Sequence, residues 1–139
     1  MLRLVSSRRF AAAFVAVIFS FACSGSDDKD PPIDEEPGPS TGSTCPENQT
    51  LTYENFGSEF FANYCTRCHS SELSGAERHG APAAYNWDEL ETVREHAALI
   101  DKMAAAGPDA TNTVMPPLDP RPTIDEREDL GEWLECGAP

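Results

Sequence analysis

Apolar residues recur at three-to-four-residue spacing in three stretches of the chain, separated by segments rich in proline and glycine. In the first, Tyr53, Phe56, Phe60, Phe61 and Tyr64 share one helical face. Thr52 stands before them as an N-cap, and the helix runs directly into Cys65. Gly57 lies inside this pattern at a cost of about 1 kcal/mol against alanine, which predicts close approach of another helix. In the second stretch Leu90, Val93, Ala97, Ile100 and Ala104 form the stripe. That helix is expected to begin near Asn86, with Glu89 as its capping pair, and to stop at Gly107-Pro108. His96 falls one position outside the stripe and is expected to be exposed. In the third stretch Leu130, Trp133 and Leu134 form the apolar face, Thr123 and Glu126 spell a capping box, and Gly137 ends the helix. No strand pattern and no internal repeat stand out. The pattern predicts an all-α domain of three main helices.

Two long segments lie between these helices. Residues 70–85 carry Gly75, Gly80 and Pro82 and read as loop. Residues 108–122 contain Pro108, Pro116, Pro117, Pro120 and Pro122, with Val114-Met115-Pro116-Pro117 at their centre. A loop this long without structure in a compact domain usually has a task. The Met115 thioether is soft, neutral and suited to bind a transition-metal ion, and the flanking prolines stiffen the backbone that would hold it. The plainer reading makes Met115 a core residue under the loop. Met103 is the competing sulfur, and its helical position favours the core.

The N-terminal stretch has a different character. Arg3, Arg8 and Arg9 precede an apolar run from Phe10 to Phe21, which is short for a bilayer span. Residues 1–22 read as an export signal. Ala22-Cys23 followed by Ser24-Gly25-Ser26 partly matches a lipid-attachment box, so cleavage before Cys23 and lipid on its sulfur are expected. Ordinary cleavage or an uncleaved anchor are the alternatives. Residues 23–44 offer one large apolar residue, Ile33, against six acids and one lysine; they are expected to be a disordered, extended linker. The folded domain is then 45–139, small for a self-sufficient core.

Across its 139 residues the chain has a net charge of −14. Three of its basic residues fall in the export signal, so residues 23–139 are more acidic still. An acidic surface argues against nucleic acid and anionic lipid headgroups as partners. It favours a basic protein partner, or simply solubility.

The most specific chemistry lies in Cys65-Thr66-Arg67-Cys68-His69. Cys-x-x-Cys-His is the spacing of covalent c-type haem attachment. One turn of backbone presents two sulfurs to the ring edge and the imidazole to the iron. With five cysteines and three histidines in the chain, chance would give roughly 0.004 such arrangements. A redox dithiol would want a βαβ pattern around it, and a structural zinc site a second ligand pair; neither is visible. His79 and His96 stand alone. No Ser/His/Asp set or paired carboxylates stand out.

From Tyr53 to Pro139 the chain resembles class I cytochromes c, in particular small haem-bearing lipoproteins with a Trp-Leu-x-Cys-Gly-Ala-Pro-like tail. The resemblance implies a cytochrome c fold, three main helices around one haem c per chain. It implies that the first and last helices cross through Gly57 and Phe61 on one side and Leu130 and Trp133 on the other. It implies Cys65 and Cys68 as the covalent attachment points, with His69 and Met115 as axial ligands. It also implies that a proline carbonyl, here that of Pro82, accepts the proximal imidazole N–H and fixes its tautomer. Cys45 and Cys136 lie just outside the two helices expected to touch. In an oxidising compartment they are expected to join, closing a loop that stabilises by roughly 4–5 kcal/mol on the entropy model.

The expected function is one-electron transfer with redox partner proteins, without enzymatic turnover. The expected place is the periplasmic side of a bacterial membrane, anchored through Cys23, or the soluble periplasm. The rival is a haem-based enzyme subunit or gas sensor with an open or labile sixth position and a polar group such as Arg78, His79 or His96 beside it.

Overall fold

Each apolar stripe becomes helix, and two of the three begin where a polar neighbour supplies the missing acceptors. In the computed structural model, which describes residues 36–139, the first helix opens with a π-helical turn, Tyr53–Gly57, and continues as α1, Ser58–Tyr64. Thr52 Oγ1 accepts from the Asn55 N–H at 3.3 Å, and the Thr52 N–H donates to Asn55 Oδ1 at 2.7 Å. Such reciprocal bonds satisfy donors that a helix start otherwise leaves free.

The second stripe forms two helices instead of the expected one: α2, Leu90–Glu95, and α3, Ala97–Ala104. The break is at His96, where the N–H is shared by the Thr92 and Val93 carbonyls at 3.2 Å each. The His96 Nδ1 lies 2.9 Å from the Thr92 carbonyl, so the ring competes for an acceptor of the helix ladder. The start is later than the sequence suggests. Glu89 precedes the helix without a side-chain cap, because Asn86 is bonded to Arg78 instead. The stripe itself holds: Val93, Ile100 and Ala104 are buried, with Leu90 and Ala97 packed against them.

α4, Ile124–Glu135, starts with the expected capping box, the Thr123 N–H donating to Glu126 Oε2 at 2.7 Å. It buries Leu130, Trp133 and Leu134 against Phe60 and Phe61 of α1. A Cβ on Gly57 would stand 2.8 Å from the Trp133 ring. The absent side chain therefore makes room for the tryptophan, whose ring centroid lies 6.0 Å from those of Phe56 and Phe61. The tail closes on the same place. The Pro139 carbonyl accepts from the Tyr53 N–H at 2.6 Å and from Trp133 Nε1 at 3.3 Å. Cys45 and Cys136, 91 residues apart, form a disulfide with their Cα atoms 4.8 Å apart.

The stretch 36–44, expected to end a disordered linker, is a strap on the folded domain. Thr41 is fully buried. Its N–H donates to Asp101 Oδ2 at 3.0 Å, its hydroxyl donates to Asp101 Oδ1, and its carbonyl accepts from the Asp109 N–H at 2.9 Å. The Gly38 N–H donates to the Lys102 carbonyl at 2.9 Å, and Ser43 Oγ donates to the Ala106 carbonyl at 3.1 Å. Gly131 supplies the seat: a Cβ there would lie 2.6 Å from the Ala106 carbonyl oxygen and collide with Ser43 Oγ. Composition misleads here because the strap is held by polar bonds, not by apolar burial.

Among the described residues there is no strand, only an isolated bridge between Ala106 and Thr111. None of their helices is long and apolar enough to cross a membrane. The proposed export signal, 1–22, and Cys23 lie outside the described residues.

Replacing Gly57 with valine is expected to destabilise the protein by about 1–3 kcal/mol, the usual range for forcing atoms into a packed contact. The urea midpoint measures it; a midpoint equal to the parent's would show that α4 does not approach this closely.

Candidate functional site

The Cys65–His69 turn continues directly from α1. The Cys65 N–H donates to the Phe61 carbonyl at 2.9 Å, and the Cys68 and His69 N–H groups both donate to the Cys65 carbonyl, at 3.1 and 3.0 Å. This one turn sets two half-buried free thiols three residues apart, with the imidazole next to the second. The other two described cysteines are joined to each other, so neither competes with the pair. Burial pushes the Cys65 thiol up to about 12, against the opposing influence of the Arg127 and Arg67 charges.

His69 is oriented from behind. Its Nδ1 lies 3.2 Å from the Tyr85 carbonyl oxygen. A carbonyl can only accept, so Nδ1 carries the proton and Nε2 keeps its lone pair. Burial pushes the imidazole below its ordinary value; the Tyr85 bond opposes this and the Arg78 charge adds to it. The ring therefore stays neutral at pH 7, as a metal ligand must. It stacks on Trp87 at 5.3 Å with 27° between the planes, and Tyr85 stacks on Trp87 in turn at 5.4 Å.

Two expectations need correction here. The carbonyl that meets the imidazole belongs to Tyr85, not Pro82. The Pro82 carbonyl is taken by Arg78 Nη2 at 2.8 Å and by the Tyr85 N–H at 3.1 Å; that turn carries the chain three residues onward before a carbonyl faces the ring. His96 is half-buried instead of exposed, edge-on to Tyr85 at 5.0 Å and to Trp87 at 5.8 Å.

The loop behind the motif is tied to the start of α2. Asp88 accepts from Ser70 Oγ at 2.8 Å, the Ser71 N–H at 3.0 Å and Ser71 Oγ at 2.9 Å. Burial alone would raise the Asp88 carboxyl, but these hydrogen bonds outweigh it and hold the group below its ordinary value of 3.8.

Met115 is pinned through its main chain. Its N–H donates to the Met103 carbonyl at 2.8 Å, and its carbonyl accepts from Arg127 Nη1 at 2.9 Å. The same nitrogen reaches the Ala104 carbonyl at 2.5 Å and the Asn112 carbonyl at 2.9 Å. The Met115 side chain packs against the core cluster. Arg67, inside the thiol motif, donates to the carbonyls of Leu118 and Asp119. The loop carrying Met115 thus lies beside the motif turn, and Arg127, which bonds the Met115 carbonyl, also acts on Cys65 through its charge. Met103 sits on the adjoining backbone, so both candidate sulfurs come from neighbouring segments. Arg127 escaped the sequence reading. Its signal is positional: it falls in register with Leu130 and Leu134, where a helix of this kind is otherwise apolar.

Among the described residues no group of three or more His, Cys, Asp or Glu could hold a metal ion, which leaves the zinc alternative without a second ligand pair. A sequence model of the family described as Cytochrome c matches residues 55–136.

The chain belongs to the cytochrome c family.

No curated protein and no solved structure matches it. Family membership implies covalently bound haem c, haem-based electron transfer and redox partners. The residues of this cytochrome c fit that group. Two unpaired thiols share one turn, and the neutral imidazole beside them has Nδ1 engaged and Nε2 free.

Because Asp88 is held below its ordinary value of 3.8, the stability its bonds contribute is present above that value and is lost as pH falls through the depressed one. In urea titrations of the mature cytochrome from pH 7 down to 2.5, Asp88→Asn is expected to be weaker than the parent at neutral pH. The gap should close below about pH 4. A gap independent of pH would show that the carboxylate charge plays no part.

Proposed function

We propose that this cytochrome c is a one-electron carrier outside the cytoplasm, with one haem c joined to Cys65 and Cys68. His69 and Met115 are its axial ligands. The bound haem would supply the redox couple; the chain's residues hold and tune it. The observation that carries the reading is the placement of the Met115 loop against the Cys65–His69 turn, with His69 Nδ1 already engaged by the Tyr85 carbonyl. A His/Met pair closes the iron to other ligands and raises its potential. Cys65 and Cys68 are half-buried in the folded domain, so their sulfurs are more accessible for attachment before the chain folds than after. That order suits export as an unfolded chain, with residues 1–22 as the signal. Cys23 then carries a lipid that holds the domain at the periplasmic side of a bacterial membrane, its redox partners being proteins.

The enzyme or gas-sensor alternative needs a polar group beside an open sixth position. Arg78 spends its donors on the His69 side of the site, His96 bonds Thr92 and packs on Tyr85 and Trp87, and His79 is exposed. The three candidates therefore give that reading no support, and turnover chemistry is not proposed.

A pyridine haemochrome spectrum on protein exported with the haem-attachment machinery is expected to give one haem per chain, and none after Cys65→Ala with Cys68→Ala. Met115→Leu is expected to turn the ferric protein high-spin, to lower the potential and to let the ferrous form bind carbon monoxide. Met103→Leu should do none of these. Loss of the methionine-to-iron band in Met103→Leu but not in Met115→Leu would move the ligand to the helix. Absence of covalent haem in the parent would overturn the reading as a whole.

A further inference from the structure

Arg78 is buried, with only 5 % of its surface exposed, and among the described residues it has no carboxylate within ion-pair distance. A buried guanidinium is costly unless each donor finds an acceptor. Here the acceptors are main-chain carbonyls and one amide. Nε donates to Ala81 O at 3.2 Å, and Nη1 donates to Ser70 O and to Asn86 Oδ1, the latter at 3.1 Å. Nη2 donates to Pro82 O at 2.8 Å and to Tyr85 O at 2.9 Å. The fork therefore gathers residues 81–86 and ties them to Ser70, the residue after His69. The Tyr85 carbonyl is the one that also faces His69 Nδ1, at 3.2 Å. One oxygen serves both groups, and the shorter bond goes to the cation.

We propose that Arg78 is a positioning residue that sets the reduction potential of the haem iron, both through the shared Tyr85 carbonyl and through its own unpaired charge. The inference rests on His69 being an iron ligand. A carbonyl that already accepts from a cation pulls less strongly on the Nδ1 proton. The imidazole then gains less anionic character and gives less electron density to the metal. The unpaired charge acts in the same direction, since a fixed positive charge in a poorly screened site disfavours the more positive, ferric state. Both effects favour the ferrous form. Asn86 suits the purpose because a neutral amide satisfies the guanidinium without cancelling its charge.

Three variants and one control test this in the haem-loaded protein, each first shown to carry covalent haem with the parent's low-spin spectrum. Arg78→Met is expected to lower the ferrous-to-ferric ratio at the parent's midpoint by at least tenfold, about 59 mV for a one-electron couple. Arg78→Lys, which keeps the charge but not the fork, is expected to stay within threefold of the parent. Asn86→Asp keeps the hydrogen bond and gives the cation a counter-charge, so it too is expected to fall by tenfold. Ala83→Asp, on the exposed turn nearby, controls for an added charge and should stay within threefold. In the ferrous form the His69 Nδ1 proton resonance is expected to move downfield in Arg78→Met, as its bond to Tyr85 tightens. A folded Arg78→Met protein with the parent's potential and resonance would overturn the proposal. If that variant does not fold, an unchanged potential in Asn86→Asp overturns it, as does an equal fall in Ala83→Asp. A parent without covalent haem would instead remove the ligand assignment on which the proposal stands.

Discussion

The contact between Gly57 and the Trp133 ring decides where everything else stands. The first helix can meet α4 only where a side chain is missing, and a Cβ at 2.8 Å from the indole leaves no slack. Once that point is set, α1 ends at Tyr64, and the next turn of chain carries both thiols and the imidazole. The same tryptophan holds the tail through Pro139, and the tail holds the start of the first helix through Tyr53. Cys136 follows α4 and Cys45 precedes the first helix, so their disulfide clamps the two partners of the crossing from outside. Packing, tail and covalent link therefore constrain one geometry, and the position of the thiol turn follows from it.

Two long loops lie beside that turn, and each places one large side chain, Tyr85 or Met115, against the core. Each is gathered by a buried arginine that donates to main-chain carbonyls and, for Arg78, to the Asn86 side chain as well. Arg78 binds residues 81–86 behind His69. Arg127 binds Ala104, Asn112 and Met115 on the other loop. Arginine suits this task because a planar fork can serve several acceptors at once, where a lysine offers a single point of charge. The desolvation of each cation is offset by carbonyl dipoles rather than by a carboxylate. A charge left unpaired in this way continues to act on its surroundings, and Cys65 and His69 both feel it.

Much of this was legible in the sequence, for physical reasons that differ between elements. The three apolar stripes, the capping box at Thr123 and the costly Gly57 are local signatures, and each marks helix or helix contact where it predicts it, although the middle stripe is split in two. The attachment motif is legible because its chemistry needs adjacent residues. What failed was non-local. The acceptor for His69 lies three residues beyond Pro82 because a turn intervenes, and turn geometry depends on Arg78, which the sequence offered only as a polar neighbour of an open iron site. The strap at residues 36–44 was hidden because composition reports apolar content. It says nothing of a threonine whose donors and carbonyl all find partners across the fold. His96 breaks its helix because its ring finds a carbonyl one turn back, and helical spacing does not register that.

Electron transfer rewards a ligand set that moves little between two charge states. Ligands on loops would ordinarily be the mobile part of a small domain. Here the residues that would bind the iron are held by their main chains. Met115 is bonded through both its N–H and its carbonyl, and His69 sits between a bonded turn in front and the Tyr85 carbonyl behind. Main-chain restraint of this kind fixes a side chain's position without calling on solvent-facing side chains. Under the proposed ligation, the bonded loops would hold both iron ligands in place independently of the side chains that face solvent.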